Sequence, residues 1–435
     1  MTLRLGGTAV GRLLVIGFGV TGRAVCEYVR AHGASVFVSE QRPLSDEERA
    51  WLGGRGIGHE EGGHTESALT GVDAVVLSPG VPLSLPLVER ATQSRIPVYS
   101  ELDVASLVCA ARPIVAVTGT NGKSSTVTLI GELLRFWGRE APVVGNIGLP
   151  FIDASDRVAS ADAIVIEASS YQLEQSIVFH PQVGVLLNLE PDHLARHKTM
   201  DAYAAAKGRL FRLQTSEDVA VLPRTLAPRF PEGRGRRVFY DDARLALPQG
   251  AERLSPHQRD NLRAALCACE ALLPGIDRRE APMERIVASL RLPHRMEPVG
   301  FVRGVRVVDD SKSTNPASTL AALASVEGPV VLLLGGRSKG AGYDILRAAI
   351  ARRPIRRTVL FGEAAEELAG LLGGLPIDCA ADVEAAIAAG LRVARPGDTL
   401  LFSPGCSSFD QFGSFEERGR AFAGAVRACS GFSFT

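Results

Sequence analysis

The run Thr118-Gly119-Thr120-Asn121-Gly122-Lys123-Ser124-Ser125 sets glycines, an amine and hydroxyls in an order suited to polyphosphate. Glycines let backbone N–H groups close around phosphate oxygens at a helix N-terminus, where the helix dipole favours negative charge. Lys123 would neutralise the outer phosphates, and the Ser124 hydroxyl would bind Mg2+. The general pattern has a glycine where this chain has Val117, so the motif is a variant. A glycine-rich turn that binds nothing is the alternative. The strand-like IVAVTGT before the loop and the helix-like TVTLIGELLRFW after it count against that alternative.

Other residues could work beside this loop. Glu167 ends the strand-like AIVI, where a carboxylate could hold Mg2+. The following Ser169 and Ser170 are equally good helix caps, and the residues alone leave both readings open. Asp192-His193, after VGVLLN, could be a metal pair or simply structural. Lys207, in MDAYAAAKGRLF, could be an ordinary surface lysine. Lysine is scarce, however: of the 48 basic residues only Lys123, Lys198, Lys207, Lys312 and Lys339 are lysines. Lysine in an arginine-rich chain suggests roles that need a compact point charge or a nucleophilic amine, with chance as the bland alternative. Gly17-Phe18-Gly19-Val20-Thr21-Gly22 follows the strand-like LLVIG, and Glu40 ends the next strand. Taken alone, that pair reads as a dinucleotide site.

The elements that must position these residues are legible as apolar runs at 13–17, 74–80, 114–120, 163–169, 183–188, 330–336 and 399–405. They end in Gly, Ser, Asn or Pro and alternate with helix-like stretches. That predicts βα units and parallel sheets, with ligands at the carboxyl ends of the strands. Breaks at Ala111-Arg112-Pro113 and at Pro293–Pro298 divide the chain into α/β domains at 1–111, 112–297 and 298–435. The Pro-, Arg- and Gly-rich stretch 223–256 reads as an irregular surface excursion.

Composition narrows the class of function. The chain has 435 residues, 46% hydrophobic and 22% charged, an ordinary globular balance. Its 48 acidic residues cancel its basic ones, which argues against nucleic acid or an anionic membrane as partner. No apolar run approaches the roughly 18 residues of a membrane span, and the N-terminus is too short and glycine-broken for a signal peptide. Seven scattered cysteines without a CxxC suggest a reducing cytoplasm.

Further motifs carry a resemblance. They are Gly145-Asn146-Ile147-Gly148, Glu167-Ala168-Ser169-Ser170-Tyr171-Gln172-Leu173, Asn188 to His193, His257 to Asn261, Pro293-His294-Arg295-Met296-Glu297, Asp310 to Pro316, Gly335 to Lys339, and Ser403 to Phe415. With TGTNGKS they resemble the Mur ligase family over nearly the whole chain, and within it the members that add D-glutamate. The resemblance implies three domains: Rossmann-like, central P-loop ATPase-like with a parallel sheet, and Rossmann-like again. It implies that ATP is held by Gly119, Thr120, Asn121, Gly122, Lys123, Ser124 and Ser125, with Asn261, Arg295 and Asp310 also on the nucleotide. Two Mg2+ ions are implied, one on Ser124 and Glu167 and a second on His193 and a CO2-carbamylated Lys207. Lys123, His193, Lys207 and Lys312 would be catalytic.

The implied substrates are UDP-N-acetylmuramoyl-L-alanine and D-glutamate. Val20, Thr21, Gln41, Arg42 and Gly80 would contact the first through its UDP, Asn146 through its muramoyl part, with Ser169 also on substrate. Thr314, Lys339, Ser408, Phe409 and Phe415 would form the amino-acid pocket. Gln258, Gly405 and Phe409 depart from the residues common in the family. A cytoplasmic monomer without nucleic-acid or membrane partners is expected.

Rivals explain less. The L-alanine-adding members usually show His where this chain has Asn121, and the diamino-acid-adding members a DNP motif that is absent here. A folylpolyglutamate synthase would lack the N-terminal GxGxxG domain. A nicotinamide-dependent oxidoreductase would leave TGTNGKS unexplained. An inactive nucleotide-binding regulator would be expected to lose Glu167, His193 and Lys207.

Overall fold

The apolar runs form strands because each is flanked by turn residues and buried on both faces. In Arg12–Ile16, Leu13 and Val15 join one hydrophobic layer while Leu14 and Ile16 join another. In Val330–Gly335, Val331 and Leu333 pack on one side and Leu332 and Leu334 on the other. Side chains alternate across a strand, so a strand sandwiched between helices must be apolar throughout. Each fully buried Leu, Ile or Val contributes about 1.5–3 kcal/mol relative to exposure.

The computed structural model describes residues 3–109, 112–155, 160–340 and 342–434. Ala111, at the first expected domain break, lies outside the described residues. The chain divides into two compact units, Met1–Leu189 with Ala204–Val287, and Glu190–Tyr203 with Ala288–Thr435.

The first unit contains two parallel sheets. One has five strands in the order Gly58–Glu61, Ser35–Glu40, Arg12–Ile16, Ala74–Leu77, Val98–Ser100. The other has six, in the order Arg236–Phe239, Val219–Leu222, Val183–Leu186, Ile114–Thr118, Ile164–Glu167, Val143–Gly145. The presence of Arg236–Phe239 corrects the expectation of an irregular excursion over 223–256. This short edge strand pairs in parallel with Val219–Leu222, but its two leading arginines hide the strand pattern.

The second unit is built on seven strands, in the order Ile377–Ala380, Ile355–Phe361, Val330–Gly335, Thr399–Gly405, Val305–Asp309, Glu297–Val302, Phe432–Ser433. The first five are parallel, and the last two add antiparallel. Among the described residues, no helix is long and apolar enough to cross a membrane.

Candidate active site

The phosphate loop leaves the central strand Ile114–Thr118 and enters the helix Lys123–Phe136. Gly122 is the N-cap, with φ 88°, a conformation that L side chains rarely adopt. A Cβ there would stand 2.4 Å from Asn261 Oδ1, so the Asn261 amide lies directly against the loop. Asn188, at the end of the neighbouring strand, clamps the loop. Its carbonyl accepts from Thr120 N (3.1 Å), its Oδ1 accepts from Asn121 N (2.8 Å), and its Nδ2 donates to Asn121 O (3.0 Å). Lys123 folds back, donating from Nζ to the carbonyls of Gly119 and Thr120 at 2.9 Å each. Ser124 and Ser125 are buried on the first helical turn.

Two groups converge on this loop. Glu167 stands beside Val117 in the sheet register, with Gly145 on its other side. It is 3% exposed; its Oε1 accepts from Asn146 Nδ2 (3.1 Å), while its Oε2 has no hydrogen-bond partner. A buried carboxylate oxygen left unpaired is costly unless a cation or another donor joins it. The donor set thus fits a hard divalent ion beside the loop. Lys207 is 1% exposed, and its Nζ donates to Gly119 O (2.9 Å) and Thr118 Oγ1 (3.3 Å). It is therefore not a surface lysine. Ser169 adopts the cap geometry that its residue type allowed: it caps Ser170–Gln175 in a box with Gln172.

In the same unit, a cleft of about 530 Å3 opens at the carboxyl ends of the first sheet, lined by Gly17, Val20, Thr21, Gln41, Ser78 and Gly80 among others. Val20 presents an apolar side chain there at 73% exposure, on the first turn of Val20–Ala31. Glu40 would be the ribose acid of a dinucleotide site. Here it accepts from Phe18 N (2.6 Å) and Arg42 N (3.1 Å), so it braces the turn. Arg42 donates to both oxygens of Glu48 (2.8 and 2.7 Å) and holds that carboxyl down to about 2.

The second unit gathers the other expected residues. Asp310 is buried and accepts from the hydroxyls of Ser313 (2.5 Å) and Ser403 (2.7 Å). Burial pushes its carboxyl up to about 6 against those hydrogen bonds. Lys312 rests its ammonium 4.4 Å above the Phe415 ring. Lys339 pairs with Asp192 at 3.1 Å and donates to Thr314 Oγ1 at 3.4 Å. Burial works against charge on Asp192, yet Lys339, His193 and the Asn315 amide hold its carboxyl below the usual range. Asp192 is thus an ion-pair partner of Lys339. His193 follows it with φ 56°, its Nε2 3.7 Å from the same carboxylate. Arg295 sits between His294 and Met296, which also have positive φ. Ser408 is buried and Phe409 is 63% exposed.

Three residues whose observed contacts sequence reasoning missed emerge here. Asn188 ends a strand beside the loop, a position that could have marked it. Asp192 was visible only as half of a metal pair. Arg418 is fully buried in the helix Phe415–Arg427, in register with Phe422 and Val426, so the helical period would have placed it inside.

Strand, phosphate loop and helix, with a carboxylate on the adjoining strand, define a phosphate-loop α/β protein. Models of three families match: the MurD N-terminal domain over residues 12–84, the Mur ligase middle domain over 117–230, and the Mur ligase glutamate ligase domain over 294–406. The chain belongs to the Mur ligase family. It is 37% identical to a UDP-N-acetylmuramoylalanine--D-glutamate ligase of Syntrophotalea carbinolica, covering 96% of this chain and 98% of the relative. It is 39% identical to a protein of the same name from Salinibacter ruber, covering 94% and 96%. Among solved structures, MurF ligase from Thermotoga maritima in complex with ADP aligns with a TM-score of 0.57 at 17% identity, covering 95% of this chain and 94% of that one. UDP-N-acetylmuramate-alanine ligase MurC, also from Thermotoga maritima, aligns with a TM-score of 0.56 at 17% identity, over 96% and 99%. At these identities the two structures speak for the fold alone.

Proposed function

We propose that this protein is the ATP-dependent ligase that joins D-glutamate to UDP-N-acetylmuramoyl-L-alanine in peptidoglycan precursor synthesis, releasing ADP and phosphate. The observation that carries this reading is the match, over nearly the full length of both chains, to relatives bearing that activity in their name. The same reading expects a cytoplasmic monomer acting on small molecules, with domains at 1–111, 112–297 and 298–435 for UDP, ATP and amino acid.

The geometry supports distinct tasks. Backbone amides at the start of Val20–Ala31, beside the cleft, suit a diphosphate. The phosphate loop suits ATP. Lys123 must exchange its two loop carbonyls for phosphate oxygens when the nucleotide binds. Ser124 and Glu167 would hold Mg2+, which supplies charge neutralisation between phosphates and substrate carboxylate. The Lys207 amine, condensing with CO2 and losing a proton, would become a carbamate whose oxygens serve a second ion. His193 keeps the ligand role that its motif implies. Asn261, Arg295 and Asp310 remain the proposed further contacts of the nucleotide. Asn146, whose amide is already on Glu167, would align the muramoyl substrate with that carboxylate's ion.

In the reaction, the alanyl carboxylate attacks the γ-phosphorus and ADP leaves, giving an acyl phosphate. The amine of D-glutamate attacks the acyl carbon; the C–O bond to phosphate breaks and the nitrogen loses a proton. Positioning and electrostatics carry such transfers. Lys312 would stabilise the phosphate side of this exchange, while Lys339, Thr314, Ser408, Phe409 and Phe415 would seat D-glutamate. Lys339 already holds one carboxylate, that of Asp192. Such a lysine is well placed to accept another.

Phosphate release from ATP, with UDP-N-acetylmuramoyl-L-alanine and Mg2+, should require D-glutamate and fail with L-glutamate or meso-diaminopimelate. Release with a different acceptor would overturn the substrate assignment; none with any acceptor would overturn the ligase reading. The carbamate has its own check. Protein equilibrated with 13C-bicarbonate should show a carbamate carbon signal that K207R lacks, and a parent spectrum without it removes that step.

A further inference from the structure

Arg418 is 1% exposed, yet among the described residues its hydrogen bonds go to neutral oxygens and none to a carboxylate. Nε donates to Ser311 Oγ (3.1 Å), Nη2 to Ser311 O (2.8 Å) and Nη1 to Cys406 O (3.1 Å). Burial pulls the guanidinium down to about 10, so it stays charged at neutral pH. Asp410, Asp309 and Asp310 favour its charge only through space, and a buried cation hydrogen-bonded to neutral oxygens is expensive to keep for packing alone.

What it joins gives it a use. Ser311 precedes Lys312, and Cys406 precedes Ser407 and Ser408. The two loops leave Val305–Asp309 and Thr399–Gly405, neighbouring strands of one parallel sheet. Gly336, on the loop after the next strand, leaves no room for a side chain: a Cβ there would lie 2.3 Å from Ser407 O and 3.1 Å from Arg418 Nη1. The adjacent Arg337 and Ser407 exchange backbone hydrogen bonds at 2.9 and 3.0 Å. Ser311 closes the ring by donating from Oγ to Phe415 O at 2.8 Å. The guanidinium thus ties the Lys312 loop to the Ser408 loop, and the Arg337–Ser407 and Ser311–Phe415 bonds carry that tie on to the segments of Lys339 and Phe415.

We propose that Arg418 is the positioning residue of the amino-acid pocket: its planar fork fixes the spacing of these loops and so sets the affinity for the amino-acid substrate. The inference rests on the reading that this cluster seats D-glutamate. The fork is essential to the idea. Lysine would offer a point charge on a different stem and could not hold three oxygens in fixed directions.

The test compares steady-state kinetics of the parent, R418K and S311A, each as full-length protein. R418K should raise KM for D-glutamate on the order of 10- to 100-fold. KM for the UDP substrate should stay within about two-fold, because its expected loops belong to the other unit. S311A keeps both carbonyl contacts and the arginine. It should shift the same KM in the same direction by less, and it serves if R418K does not fold. An unchanged KM for D-glutamate in both variants overturns the proposal, as does a parallel rise in both KM values. A parent without D-glutamate-dependent turnover overturns the substrate reading instead. The same comparison is then made with the acceptor that does support turnover.

Discussion

Glu101 and Glu167 are both buried with one carboxylate oxygen lacking a partner, yet they face different tasks. Glu167 ends a strand beside the phosphate loop, where a cation can complete it. Glu101 opens the helix Glu101–Val108 and accepts from Ile152 N (2.7 Å) inside the hydrophobic layer. Burial pushes its carboxyl up to about 7, against that amide. A carboxyl raised on folding contributes stability that is present below its unfolded value and lost as pH rises through the folded one. Stability should therefore fall between about pH 4.5 and 7 through this group. E101Q should flatten that slope and gain about 1–3 kcal/mol at pH 8. Denaturant unfolding of both proteins at pH 5 and pH 8 checks this, and parallel pH slopes would rule it out. Residue type alone could flag Glu167 and the lysines, because those types are chemically suited to phosphate and metal. It could not find the Asp192–Lys339 pair, which joins positions far apart in the chain.

Among elements, the strand–loop–helix around Gly122 is the most demanding. Its φ of 88° and the Asn261 amide 2.4 Å from a would-be Cβ both exclude a side chain. G122A should cost about 1–3 kcal/mol of stability through backbone strain. It should also weaken ADP binding by displacing Asn261, as read by calorimetric titration; unimpaired binding would refute the link. This element was legible because glycine, lysine and serine spacing follows directly from backbone requirements. The seven apolar runs were legible because burial on both faces leaves no polar position. Arg236–Phe239 was missed since an edge strand needs only one partner and tolerates arginine. The antiparallel strand Glu297–Val302 also escaped. Its hairpin turn is Arg303-Gly304, both at positive φ (51° and 76°), a weaker signal than Asn-Gly.

Across the whole molecule, the expected site residues gather at the carboxyl ends of parallel strands in all three large sheets, as parallel topology favours. The sequence conveyed that distribution because strand ends and polar motifs coincide. How the chain groups into two compact units was not legible, since 190–203 joins the second unit through tertiary contacts alone. The lysine economy has one more consequence. Of five ε-amino groups, Lys207 is buried, Lys123, Lys312 and Lys339 are partly sheltered, and only Lys198 is exposed, its Nζ resting on Ala195 O. To an amine-acylating reagent this large surface is nearly blank. Apart from the N-terminal amine it offers one ready point of attachment, on the segment that carries His193, where a dye or a tether could be placed without engineering.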